Sequence, residues 1–143
     1  MAAEFQGKEL ESRHADIFGT LYDIGKKFKD DELHQLGREG KAKADPSWAF
    51  LAANARDDKD EELMRLSVLE WVKRDPKRTY DASQSVNYAL GMEIARNALL
   101  EGIKSNAYSG GSVLLILEKF RRANDREGIS QLMETEQYKG IKQ

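Results

Sequence analysis

No cysteine occurs in this chain. Disulfides, zinc–thiolate and iron–sulfur centres and a thiol nucleophile are excluded with it, and the absence suits a reducing compartment, so a cytoplasmic location is expected. Proline is scarce, with only two in 143 residues, at Pro46 and Pro76. Few helix breaks are therefore enforced by ring geometry. Long hydrophobic runs are missing as well. The longest aliphatic stretch, Val113 to Leu117, falls far short of the roughly 20 residues that span a bilayer. Glu4, Glu9 and Glu11 stand where an export signal would need an apolar block, so no membrane partner is expected. Neither charge sign is in large excess: 23 Lys and Arg face 25 Asp and Glu, for a net charge of −2. A surface that coats nucleic acid or anionic lipid over its whole extent is excluded, although a local basic patch is not.

What is present is an ordinary globular make-up, 40% hydrophobic and 34% charged. A chain of this size buries roughly 68% of the surface it exposes when unfolded, enough for one cooperative core without staples. A single domain over residues 1–143 and no cofactor are expected. The residue pattern shows no internal repeat of fixed period.

Leu10, His14, Ile17, Leu21, Ile24 and Phe28 are separated by 4, 3, 4, 3 and 4 residues, which places all six on one stripe of a helix over 8–28. Phe18 and Tyr22 widen that stripe. Asp30 and Asp31 favour a second helix start carrying Leu33 and Leu36, which Gly37 and Gly40 should keep short and marginal. Asp45 and Pro46 read as cap and first residue of a helix over 46–56. Asp58 with Glu61, and Asp81 with Gln84, have capping-box spacing. The first box predicts a helix that stops before Pro76, and the second predicts the longest helix, to Ser105. Ser112 is the expected cap of a segment through Phe120 that is apolar on nearly every side and hence central to the core. Asn124 with Glu127 predicts a last short helix. Residues 1–7 and 139–143 are expected to fray. The fold class that follows is all-α, a compact bundle of five to seven helices.

Lys73, Arg74, Lys77 and Arg78 surround Asp75–Pro76 between Trp71 and Tyr80. Four cations and two rings suit a phosphate backbone and its bases, although Lys73 and Arg74 also suit a helix C-terminus. Glu11 with His14, and Asp31 with His34, have the spacing used in dinuclear metal bundles. Such a site needs further carboxylates, for which Glu70 and Glu93 are the candidates, and no metal site is assigned. Two histidines without a nucleophile-elbow pattern give a catalytic triad no anchor. The expected function is therefore a non-catalytic protein–protein interaction module, an adaptor, regulator or small subunit, with a protein partner or self-association through Leu10, Ile17, Leu21, Ile24 and Phe28. The alternatives are a nucleic-acid-binding subunit using the loop at 73–78, and a metal-dependent helical-bundle enzyme.

Overall fold

Apolar spacing of three and four, aspartate caps and proline at first helical positions recur along the computed structural model, which describes residues 12–55 and 59–142, with side chains at 17–55 and 59–141. Every regular element among them is helical: α1 (Ser12–Lys27), α2 (Asp31–Ala44), α3 (Pro46–Ala55), α4 (Glu61–Arg74), α5 (Pro76–Ser85), α6 (Ala89–Lys104), α7 (Gly110–Arg122), α8 (Arg126–Met133) and α9 (Glu136–Lys142). The all-α class stands. The number of helices among the described residues, nine, exceeds the five to seven expected, because short turns divide segments that apolar spacing alone would join.

The caps account for most of these differences. Asp60 opens α4, its Oδ1 accepting the Leu63 N–H at 3.1 Å; Asp58, the expected cap, lies outside the described residues. The long helix expected from Asp81 is two helices. Asp75 caps α5 by accepting the Arg78 N–H at 3.2 Å, α5 ends at Ser85, and Asn87 at φ 53° turns the chain before α6. Ser109, not Ser112, caps α7. Asp125, not Asn124, caps α8 by accepting the Gly128 N–H at 3.0 Å. The tail expected to fray forms α9, anchored by the buried Tyr138. Residues 1–7 lie outside the described residues.

Backbone contacts divide the chain into two compact units, residues 1–71 and 72–143. In the first, α1 and α2 form a tightly packed hairpin. A Cβ on Gly37 would sit 2.5 Å from the Tyr22 backbone nitrogen, and one on Gly25 would sit 2.6 Å from the His34 Cα. These glycines set the closeness of the two backbones. Gly37 therefore supports α2, which runs a full 14 residues, instead of curtailing it. In the second unit, Tyr80, Leu99, Ile103, Ile116, Phe120 and Leu132 lie in one buried cluster. Helix α7 is less central than its sequence suggests, for Val113, Ile116, Leu117 and Phe120 are buried while Leu114 and Leu115 are exposed.

Four helices end in the same way. Lys29, Asn87, Asn106 and Asn124 take φ of 55°, 53°, 58° and 57°, and the following N–H returns to the carbonyl five residues back: Asp30 to Gly25 at 2.9 Å, and Tyr88 to Ser83, Ala107 to Gly102 and Asp125 to Phe120, each at 2.8 Å. This is the Schellman closure, whose left-handed residue is normally Gly or Asn. Lys29 departs from that preference. Lys29→Asn should stabilise the protein by about 0.5–1 kcal/mol, whereas Gly37→Ala should destabilise it by about 1–3 kcal/mol despite the better helix propensity of alanine. Urea unfolding followed by circular dichroism checks both signs.

Candidate functional site

The chemically dense places in each unit are built around one carboxylate. In the first unit α1 supplies Tyr22, α2 supplies His34 and Arg38, and Asp60 stands at the start of α4. Asp60 accepts the Tyr22 hydroxyl at 2.6 Å, the Arg38 Nε at 3.0 and 3.1 Å, and the Leu63 N–H at 3.1 Å. Its side chain is only 7% exposed. In the second unit Asp125 accepts the Tyr80 hydroxyl at 2.9 Å, Arg96 Nη1 at 3.1 Å and the Gly128 N–H at 3.0 Å. Donors from three directions occupy each carboxylate's lone pairs, which makes these groups structural pins.

The electrostatics follow from that enclosure. Burial alone raises the Asp60 carboxyl. The hydrogen bonds from Tyr22, Leu63 and Arg38, together with the Arg38 charge, outweigh burial and hold it below the usual carboxylate range. Burial, then the hydrogen bond to Asp125 and its negative charge, pushes the Tyr80 phenol well above its ordinary value. His34 is half-buried. Its ring lies 4.2 Å from that of Tyr22, its Nδ1 2.9 Å from the Tyr22 carbonyl, and its Nε2 4.0 Å from Asp60.

The basic loop takes a different form from the one its composition suggests. Lys73 and Arg74 lie exposed in the last turn of α4. Arg78 Nε is 3.5 Å from the Asp75 carboxylate, and Lys77 Nζ stands 5.2 Å from the centre of the Tyr108 ring. Burial and the Asp75 charge raise the Tyr108 phenol. Neither expected stacking ring is presented freely: Tyr80 is buried and bound to Asp125, and Trp71 is half-buried 6.1 Å from the Phe50 ring. For the metal alternative, Glu11 and the His14 side chain lie outside the described residues. Among those described, no group of three or more His, Asp or Glu is arranged to hold a metal ion.

Of the proposed interface residues, Ile17, Leu21 and Ile24 stand on α1 and Phe28 in the turn that follows it. Leu10 lies outside the described residues and Leu21 is half-buried. Ile17, Ile24 and Phe28 are 48%, 40% and 70% exposed. The buried side of α1 is instead formed by Tyr22 and Gly25. On α3, Trp48 and Leu51 are exposed while Ala49, Phe50 and Ala53 are buried. In the second unit an open cleft of about 500 Å³ is lined by Lys104, Asn106, Ser130, Gln131, Glu134 and Gln137, among others. Two of its charges have neighbours, Lys104 with Glu101 at 3.7 Å and Glu134 with Lys139 at 4.0 Å. Among the described residues no helix is long and apolar enough to cross a membrane. No protein-family model, curated protein or solved structure matches the chain.

Because the Asp60 carboxyl is depressed in the folded protein, its contribution is complete above the unfolded aspartate value of about 3.9 and is lost as pH falls through the lower folded value. Asp60→Ala, which also leaves Arg38 without its partner, should cost about 2–4 kcal/mol at pH 7. The gap from wild type should shrink as pH falls below about 4. Denaturant titrations at pH 7, 5 and 3 measure it.

Proposed function

We propose that this chain is a non-catalytic helical interaction module that binds a protein partner through the face of α1 bearing Ile17, Leu21 and Ile24, continued by Phe28 in the turn that follows. The observation that carries the reading is the exposure of three large apolar side chains, Ile17, Ile24 and Phe28, on one stripe. Isolated exposed apolar residues are ordinary, but a row of them on one helix face is the form of a binding surface.

An internal comparison supports this assignment. The hairpin of α5 and α6 has the same turn and the same sixteen-residue spacing from tyrosine to arginine, Tyr80 to Arg96, as the hairpin of α1 and α2 has from Tyr22 to Arg38. At the places of Ile17, Leu21, Ile24 and Phe28 it carries Asp75, Thr79, Ala82 and Val86. A hairpin of this design therefore closes with only one branched apolar residue, Val86, among the four places, and folding of the hairpin does not account for the whole stripe. The alternation of three and four along it is the spacing by which one helix seats against another. The partner is accordingly an amphipathic helix, on another protein or on a second copy of this chain. An adaptor, a regulator or a small subunit of an assembly would each use such a face.

Immobilised protein should retain a protein partner from native lysate, and the pair Ile24→Ser and Phe28→Ser should lower that retention about tenfold or more while leaving the helical circular dichroism unchanged. Retention that survives the pair overturns the α1 assignment. If nucleic acid is retained in place of protein, and is released by charge reversal at Lys73, Arg74, Lys77 and Arg78, the basic loop becomes the binding site instead.

A further inference from the structure

We infer that the chain is a tandem duplication of one helical unit, and that Asp60 and Asp125 are its two equivalent latches, each fastening the start of a helix to the hairpin of its own unit. Aligning Tyr22 with Tyr80 leaves only three identities between residues 18–45 and 76–103: Tyr22 with Tyr80, Asp23 with Asp81, and Arg38 with Arg96. Two of the three are the donors to the latch carboxylates.

The backbone repeats where the sequence does not. In the first hairpin the N–H groups of Phe28, Lys29 and Asp30 go to the carbonyls of Ile24, Lys26 and Gly25. In the second, those of Val86, Asn87 and Tyr88 go to Ala82, Gln84 and Ser83. Each partner holds the same place relative to its tyrosine. The next helix opens alike, the His34 N–H bonding to the Asp30 carbonyl and the Met92 N–H to the Tyr88 carbonyl. Small residues stand immediately before both arginines, Gly37 and Ala95, and both are buried.

The latches match in their tyrosine and backbone contacts and differ in the arginine, Arg38 reaching both oxygens through Nε and Arg96 reaching Oδ1 through Nη1. In each unit the tyrosine hydroxyl meets Oδ2, and the N–H three residues beyond the aspartate meets Oδ1. Arginine to aspartate spans 22 residues in the first unit and 29 in the second. The added length falls in the third helix and the turn before it, since α3 has 10 residues and α7 has 13, while the parts that make the latch keep their order. The turn itself also closes the helices before Asn106 and Asn124, but two unrelated four-helix arrangements have no reason to share a capping aspartate, its two side-chain donors and their sixteen-residue spacing. A single ancestral unit explains all three.

Equivalence predicts locality, because each carboxylate draws its donors from its own unit. Hydrogen exchange read by mass spectrometry on the full chain tests it. Asp60→Asn should accelerate exchange about tenfold in the first turns of α4 and in the hairpin of α1 and α2, leaving α8 and the hairpin of α5 and α6 at wild-type rates. Asp125→Asn should do the reverse. Tyr22→Phe and Tyr80→Phe keep the rings and remove the hydroxyls, so they should give smaller changes in the same two places. They decide the matter alone if an aspartate variant fails to fold. Acceleration of both sets by either variant, or of neither by any, overturns the inference.

Discussion

A carboxylate removed from water needs donors, and the first turn of a helix needs acceptors. Asp60 and Asp125 meet both requirements at once, and much of the architecture follows from where they stand. Each closes the N-terminus of a helix, α4 or α8, and in the same act receives a tyrosine from one helix of a hairpin and an arginine from the other. Loss of the carboxylate would remove at one stroke the acceptor that a guanidinium and a phenol share, a larger cost than the loss of a single contact. The pin also demands a hairpin of a definite width. Gly25 and Gly37 supply it in the first unit by letting backbone approach backbone, and the small Ala95 stands in the place of Gly37 in the second.

The same economy bears on the proposed role. Asp60 and Asp125 and the tyrosine and arginine side chains that reach them face one another, and the carboxylate oxygens are taken up by these donors and by backbone N–H groups. What is turned outward is a row of apolar side chains on α1, with Lys27 Nζ 5.6 Å from the ring of Phe28 at its end. A partner helix meeting this face would find an apolar centre with a cation at one margin, the composition of a small interface with a polar rim.

Much of the helical content was legible because apolar spacing and proline position report directly on helices. The stripe on α1 and the start of α3 at Pro46 both follow from local pattern. The latches were not legible, because two acceptable capping signals compete at each site. Asp58 with Glu61 has the better capping-box spacing, yet Asp60 caps α4; Asn124 with Glu127 has it again, yet Asp125 caps α8. Local spacing cannot say which neighbour also reaches a tyrosine 38 or 45 residues away. Gly37 was read as a helix weakener because its cost is local and its benefit is tertiary. The break at Asn87 was missed because the residues around it fit helix spacing, and only the left-handed turn betrays it. The repeat escaped because only three positions in twenty-eight coincide, and two of them are meaningful only once their shared carboxylate is seen.

The placement of the two tryptophans has an optical consequence. Trp48 is 60% exposed on α3 and Trp71 is half-buried against Phe50, and both belong to the first unit. Four of the five tyrosines belong to the second. Indole fluorescence thus samples the first half of this molecule, phenol absorbance mostly the second, and the native chain carries a separate spectroscopic reporter for each.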